Sequence, residues 1–149
     1  MLYIMYFIEW LLVLYCIHRI AHKSSFLMKF HGDHHRHINK CIRNNETMRW
    51  HWNNLFLIND NVRSTIDLWL TEVLPTLIFS ALTQQWWIFC FYYVWAAILQ
   101  EKLEHNSAIN LYPFLTFGSW HLLHHRNPNK NFCLLFPIWD ILLRTNYYE

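Results

Sequence analysis

Long apolar runs alternate with polar, histidine-rich stretches along this chain. The first run is apolar from Leu2 to Ile17 except for Glu9, and it leads directly into "HRIAH". A cleaved signal peptide would have a basic start and small residues at its end, and this run has neither. Its length is slightly below the roughly 20 residues that cross a bilayer. The pattern therefore predicts a short membrane helix whose C-terminal end reaches the interface.

A second apolar region begins near Thr65 and continues to about Gln100, with one polar break, "TQQ", at 83–85. Each half has about 15–19 residues, near the lower limit for a membrane span, so the region predicts a helical hairpin. The two tryptophans directly after the break are typical of an interfacial aromatic belt. Pro75 is expected to kink the first arm, which neighbouring helices can accommodate.

The positive charges orient this layout. All 12 Lys and Arg residues lie between the first helix and the hairpin or after the hairpin, and none lies in the hairpin turn. Membrane proteins carry their excess of Lys and Arg on the cytoplasmic side. All 11 histidines fall on that same side. We therefore expect an all-α integral membrane protein, with one N-terminal span, a helical hairpin and a cytosolic helical cap that carries the histidines.

Composition narrows the class of protein further. The 149 residues allow a single domain, 1–149, and only 15% of them are charged, against roughly 25% in soluble domains. Two glycines are too few for glycine-rich phosphate loops or dinucleotide fingerprints. The four cysteines form no CxxC pair, which argues against a zinc ribbon, a thioredoxin-like motif and a disulfide framework. No basic stripe is interleaved with aromatics, so nucleic acid is not an expected partner.

Eight of the histidines fall into three groups with helical spacing. They are HxxxH at His18 and His22, HxxHH at His31, His34 and His35, and a second HxxHH at His121, His124 and His125. Residues three and four apart share one face of a helix, so each group is predicted to present its imidazoles toward one point. Neutral imidazole is a good ligand for iron, zinc, copper and nickel. Eight such ligands are too many for one tetrahedral ion, and they predict two metal ions bound side by side.

Two further histidines are weaker candidates for this site. His37 is expected to point away from the face of its own group, so ligation by it is the less favoured interpretation. His51, in "RWHW", is isolated in the sequence. For His51 we favour a packing role or a hydrogen bond to a metal ligand.

The order of these motifs resembles the fatty acid hydroxylase/sterol desaturase superfamily of integral-membrane di-iron enzymes. The resemblance runs from about His18 to Thr145: HxxxH, HxxHH, a membrane hairpin, a His–Asn pair and a final HxxHH. Its clearest stretch is "WHLLHHRNPNKNFCLLFPIWDILLRT", in which Asn131, Trp139 and Asp140 match the family's ending. The chain departs from that pattern at Cys133, where glycine is usual, and at Leu143-Arg144, which replaces Phe-Gly.

The resemblance implies a set of metal ligands. They are His18, His22, His31, His34, His35, His121, His124 and His125, joined by His105 in "EHN". Some relatives have another histidine at the position of Glu101, where this chain could supply a carboxylate ligand, leave the place to water, or simply cap the membrane helix. Asn106 and Asp140 are expected in the ligand shell or in contact with it, and Glu104 is expected to be a solvated neighbour.

The resemblance also implies an activity. A histidine-bound pair of iron ions would use dioxygen to hydroxylate or desaturate a fatty acyl, sphingoid or sterol substrate, with electrons from a cytochrome-b-type donor and its reductase. Iron is preferred over zinc because zinc has no redox chemistry, although zinc could occupy the site on isolation. In a eukaryote the expected location is the endoplasmic reticulum membrane, with the histidines on the cytoplasmic side.

Other functions remain open at this level. A non-catalytic membrane protein could store metal with the same histidines, and a degenerate relative could keep only the fold. A membrane metalloprotease is disfavoured because HExxH is absent. Carboxylate-type di-iron bundles need Glu-x-x-His pairs, and no Glu precedes a His by three residues. The residues do not choose between hydroxylation and desaturation, and they do not indicate an oligomeric state.

Overall fold

The computed structural model describes residues 1–44, 46, 50–59 and 61–148, except for the side chain of Glu101. Within them the regular structure is helical, with one isolated bridge between Asn110 and Gly118. The elements are α1 (Leu2–Ala21), α2 (Met28–Arg43), a 3-10 helix (Trp52–Phe56), α3 (Val62–Leu68), a first π segment (Trp69–Val73), α4 (Leu74–Thr83), α5 (Trp86–Val94), a second π segment (Trp95–Gln100), α6 (Glu101–Leu103), α7 (Ser119–Arg126) and α8 (Ile138–Leu142).

Two helices are long and apolar enough to cross a bilayer. They are α1 and the continuous helix Val62–Thr83, which contains α3, the first π segment and α4. The shorter apolar helix Trp86–Gln100 returns after a turn at Gln84, whose φ of 57° is left-handed. The predicted all-α membrane fold with a helical hairpin is therefore confirmed, and the break falls where the polar residues predicted it.

The N-terminal span is joined to the hairpin by apolar packing and by a buried hydrogen bond. Trp10 is fully buried, and its indole Nε1 donates to Thr76 Oγ1 at 2.9 Å. Leu14, Ile88 and Tyr92 complete this part of the core, each with 2% exposure or less. A hydrogen bond in an apolar environment has no competing water, so this contact fixes how far α1 is inserted against α4.

Both arms of the hairpin contain a π segment. In the first arm, Thr71 Oγ1 donates back to the carbonyl of Asp67 at 2.7 Å. Pro75 follows four residues later and has no N–H to give to the preceding turn. Pro75 thus follows a widened turn, and the kink expected there stays a prediction. In the second arm, the indole of Trp50 donates to the carbonyl of Ala97 at 2.7 Å. This carbonyl is therefore engaged outside the regular hydrogen bonding of the helix.

The C-terminal stretch is folded around one buried carboxylate. Asp140 accepts from the backbone N–H groups of Phe132 and Cys133 at 2.9 and 2.8 Å, and from Thr145 Oγ1 at 2.7 Å. Thr145 Oγ1 also bonds to Tyr15 OH of α1 at 2.9 Å. This network ties the segment after α7 to the first membrane helix. Arg144 has a left-handed φ of 56°, a backbone conformation that costs glycine less than any other residue.

Gly118 sets the start of α7 and is expected to tolerate no side chain. Its φ is 68°, and a Cβ atom there would lie 2.7 Å from the carbonyl oxygen of Asn106. We expect Gly118→Ala to lower the free energy of unfolding by about 2–4 kcal/mol, because both the backbone conformation and the close approach are lost. Thermal melting of the detergent-purified protein measures this.

Gly32 provides the matched control for that substitution. It lies inside α2, and a Cβ atom there would be 3.4 Å from the flexible end of Met28. Gly32→Ala should be neutral or stabilise the protein by up to about 1 kcal/mol, because alanine is the better helix former. Equal melting temperatures for Gly118→Ala and Gly32→Ala would contradict this account of the α7 start.

Candidate metal centre

Four separate parts of the chain bring nine imidazoles together. The end of α1 supplies His18 and His22, and α2 supplies the first HxxHH. His105 follows α6, and α7 supplies the second HxxHH. The helices converge because α2 packs against both α3 and α7, while α1 packs against the first π segment and α4.

The imidazoles form two groups that each could hold a metal ion. Within each group the candidate ligand atoms all lie within 4.8 Å of one another. The five-histidine group is His18, His22, His31, His35 and His124, and the four-histidine group is His34, His105, His121 and His125. The groups are neighbours, since the rings of His35 and His125 are 4.3 Å apart between centroids. No carboxylate of the described residues belongs to either group.

Each HxxHH motif is divided between the two groups. In α2, His31 and His35 belong to the five-histidine group, whereas His34 belongs to the other. In α7 the division is reversed, because His121 and His125 belong to the four-histidine group and His124 to the five-histidine group. The sequence predicted that each motif points toward one place, and that was wrong. Residues i and i+4 of a helix share a direction, and residue i+3 projects to the side, toward the second group.

Hydrogen bonds on the far side of the rings determine which nitrogen faces the group. The Nδ1 atoms of His18 and His124 contact the carbonyl oxygens of Phe132 and Lys130 at 2.8 and 2.7 Å. A carbonyl can only accept, so in both rings Nδ1 carries the proton and Nε2 has the lone pair. His31 Nδ1 lies 3.0 Å from Asp67 Oδ2, which has the same effect. Such outer contacts are typical of metal-bound histidine.

The remaining nitrogens converge at the spacing that a metal ion requires. His22 Nε2 is 2.9 Å from His31 Nε2 and 3.0 Å from His124 Nε2. In the other group, His125 and His121 bring their Nε2 atoms to 3.1 Å. Nitrogens bound at right angles about 2.0–2.1 Å from one ion are about 3 Å apart. Since His31 and His124 both present lone pairs, one proton on His22 cannot satisfy both contacts. The donor set therefore fits a metal cation.

Burial keeps these rings uncharged. Desolvation by burial lowers the pKa of His22 to about 3 and that of His34 to about 4. The pKa values of His121, His124 and His125 are also well below the usual range, mainly because of burial. A metal ligand must be deprotonated, so the imidazoles are already in the binding form at neutral pH.

A partly open cavity lies between the histidines and the ends of the hairpin helices that are nearest to them. Eight of the nine imidazoles line it, together with polar and apolar residues of α3, the two π segments and the 50–59 stretch. Leu57, Leu68 and Leu134 supply apolar wall. The arrangement therefore leaves space for a small group directly beside the candidate metal ligands.

Four other residues that the sequence selected lie outside both groups. His37 is half-buried, with Nε2 3.8 Å from Cys41 Sγ. His51 and Asn106 are exposed; His51 N–H donates to Asn54 Oδ1, and Asn106 Oδ1 accepts from the N–H of Ala108. Asp140 binds the backbone of Phe132, whose carbonyl contacts His18. The side chain of Glu101 lies outside the described part of the chain.

Several acidic residues near the site were not found from the sequence. Asp67 and Glu72 lie in the first hairpin arm and line the cavity. Glu104 was expected to be solvated, but it is only 3% exposed and also lines the cavity. The sequence does contain a signal for Asp67 and Glu72, because a carboxylate inside a membrane hairpin is rare and is usually functional. Asp67 and Glu72 interrupt the apolar run as "DLWLTE".

Asp67 offers a test of the outer hydrogen bonds. Asp67→Asn removes the charge that holds His31 Nδ1 as a donor, so we expect metal affinity to fall about 10–100-fold. Metal content after dialysis against graded chelator concentrations measures this. Asp33→Asn is the control. Asp33 lies in α2, next to the histidines of the first HxxHH, but its carboxylate pairs at the surface with Arg36 and Arg63. Equal metal retention by the two variants would contradict the role of Asp67.

The histidine pKa values predict how the metal-free protein responds to pH. In the unfolded chain these imidazoles titrate near 6.5, whereas the folded values for His22 and His34 are about 3 and 4. Between these values the unfolded chain binds more protons, so the free energy of unfolding must decrease as the pH falls from about 6.5 toward about 4. Melting of chelator-treated protein at about pH 7 and pH 5 tests this, and a pH-independent melting temperature would refute it.

Comparison with known proteins adds the family. The family model described as fatty acid hydroxylase matches residues 3–145. No match was found among curated proteins, and none among solved structures. The matched region contains α1, both hairpin arms and all nine clustered histidines. The chain belongs to the fatty acid hydroxylase family.

Proposed function

We propose that this protein is a lipid-modifying membrane oxidoreductase, in which the two histidine groups hold two iron ions and dioxygen is used to hydroxylate or desaturate a fatty acyl, sphingoid or sterol lipid. The observation that carries this proposal is the pair of adjacent all-nitrogen groups, each able to hold an ion. Family membership supports the reaction class. We assign the activity to a single domain that spans 1–149.

Iron is the metal that fits this task. Zinc has no accessible second oxidation state, although it could occupy the same imidazoles in purified protein. Imidazole nitrogens suit zinc, copper, iron and nickel alike, so the choice rests on the reaction and not on the ligands. Bound iron supplies the dioxygen chemistry that attacks an unactivated C–H bond, and the protein supplies binding, orientation and exclusion of water.

The residues of this chain divide that work among them. Phe132, Lys130 and Asp67 hold the rings of His18, His124 and His31 in the metal-binding tautomer. The apolar cavity wall limits water beside the metal ligands. Because the cavity lies where the hairpin meets the histidine cap, a lipid could enter it sideways from the bilayer. We propose that the histidines face the cytoplasm, at the endoplasmic reticulum in a eukaryote, and that an external cytochrome-b-type donor and its reductase supply electrons.

One pair of variants tests the metal and the activity together. His124→Ala removes a ligand of the five-histidine group, so we expect purified protein to lose at least one of two metal ions per chain. Cells that express this variant should also lose the lipid product formed with the wild-type chain. Elemental analysis of detergent-purified protein and lipid profiling of the same cells measure both effects.

His51→Ala is the matched control, because the His51 side chain is exposed and lies outside both groups. It should retain both the metal and the lipid product. If wild-type protein binds metal but no lipid differs between expressing and control cells, the protein stores metal or keeps only the family fold. If the metal is absent from wild-type protein, the proposed function is wrong at its first step.

A further inference from the structure

One part of the cavity wall is polar, although the two hairpin helices that contribute to it are mostly apolar. Gln100 Nε2 donates to Glu72 Oε1 and Oε2 at 3.2 and 3.0 Å, and to Glu104 Oε2 at 3.1 Å. Tyr92 OH donates to Glu72 Oε2 at 3.2 Å. Glu72, Gln100 and Glu104 all line the cavity that the histidines line. Burying carboxylates in a membrane hairpin is costly, so this cluster calls for an explanation beyond packing.

The backbone is distorted in both arms where the cluster is built. Glu72 lies in the first π segment, Trp69–Val73, and Gln100 ends the second, Trp95–Gln100. A π turn rotates the following side chains out of the direction that a regular helix would give them. The two distortions meet through the Glu72–Gln100 hydrogen bonds across the hairpin. Widened turns of this kind are frequent at functional sites and weaken the helix ladder.

The hydrogen-bond capacity of the cluster is unbalanced toward acceptors. Gln100 has two N–H hydrogens, and its contacts with Glu72 and Glu104 account for them. A carboxylate can accept about four hydrogen bonds, whereas Tyr92 and Gln100 bring Glu72 only two donor groups. Glu72 is also partly accessible from the cavity, while Glu104 is 3% exposed. Glu72 therefore has acceptor capacity left on the side from which a cavity ligand would approach.

The other polar atoms of the cavity reinforce this preference. Asp67 adds a third carboxylate to the lining, and its oxygens contact His31. In a confined site of low polarity, neighbouring carboxylates repel an anionic group and attract a hydrogen-bond donor. An anionic lipid head group is thus disfavoured at this wall.

We propose that Glu72, positioned by Gln100 and Tyr92, anchors a hydrogen-bond-donating head group of the lipid substrate, either a hydroxyl or an amine, within the metal-lined cavity. This inference rests on the proposed function and specifies its substrate class. It makes Glu72 a specificity-determining residue that discriminates against lipids with a free carboxylate. It also places the carbon to be oxidised near the polar end of the lipid, because the anchor and the candidate metal ligands line the same cavity.

Binding of three simple lipids tests the proposal. A saturated long-chain alcohol, the amine and the carboxylic acid of equal chain length are titrated into metal-loaded, full-length protein in detergent. The lipid concentration that produces half of the maximal rise in melting temperature gives the relative affinities. We expect the alcohol, the amine or both to bind about tenfold or more tightly than the acid, since one satisfied buried acceptor contributes on the order of 1–3 kcal/mol. The two donor lipids distinguish a hydroxyl from an amine substrate.

Glu72→Gln should abolish this preference, because the amide brings its own N–H toward Gln100 and Tyr92 and offers one acceptor fewer. Glu9→Gln is the matched control: Glu9 is a carboxylate within α1, is exposed on the helix surface and does not line the cavity. Tyr92→Phe removes one of the two groups that position Glu72 and should weaken the preference. It provides a second variant if Glu72→Gln does not fold.

The outcomes are separable from those of the proposed function. Equal or tighter binding of the acid, an unchanged preference in Glu72→Gln, or no stabilisation by any of the three lipids would overturn the anchor. Because binding is read without turnover, loss of oxidising activity would leave the anchor intact. Conversely, oxidation of a fatty acid by a protein that shows no donor preference would support the proposed function and refute the anchor.

Discussion

The structure depends on one requirement, which is that nine imidazoles must remain neutral and must turn their lone pairs inward while crowded together. At His34 and His124, for example, burial supplies neutrality by lowering the pKa. The orientation of the lone pairs comes from hydrogen-bond acceptors behind the rings, which are the carbonyls of Phe132 and Lys130 and the carboxylate of Asp67. Nitrogens 2.9–3.0 Å apart, as around His22, would repel one another as lone pairs. A cation converts that repulsion into attraction, so metal binding and folding of the cap are coupled.

Much of the remaining fold keeps those acceptors in place. Asp140 gathers the N–H groups of the stretch after α7, and Thr145 connects it to Tyr15. The carbonyl that orients His18 therefore belongs to a segment anchored on the same helix as His18. Gly118 has the corresponding role at the start of α7, where the chain passes too close to Asn106 for a side chain. These contacts explain why residues outside the metal groups are needed for the ligand geometry.

The hairpin contributes more than an anchor in the bilayer. Its first arm delivers Asp67 to His31 and Glu72 to the cavity, and its second arm delivers Gln100. Two π segments reorient these side chains at the cost of regular helical hydrogen bonding. Helix distortion and buried carboxylates are both unfavourable in lipid, and here they occur at one place beside the metal ligands. Their coincidence is the basis of the role in substrate selection that we propose for the hairpin.

The sequence by itself determined the membrane helices, the hairpin break and the eight grouped histidines, because apolar length and i, i+3, i+4 spacing are local properties of the chain. His105 was expected only from the family resemblance. It also indicated two ions from the number of ligands. It did not determine that each HxxHH serves both groups, nor that Glu104 is buried, nor that Asp67 supports His31. Those features depend on how α2, α7 and the hairpin cross, and crossing is decided by packing between segments far apart in the chain. Only the tertiary structure could decide them, because no local pattern records which carbonyl or carboxylate will lie behind a given ring.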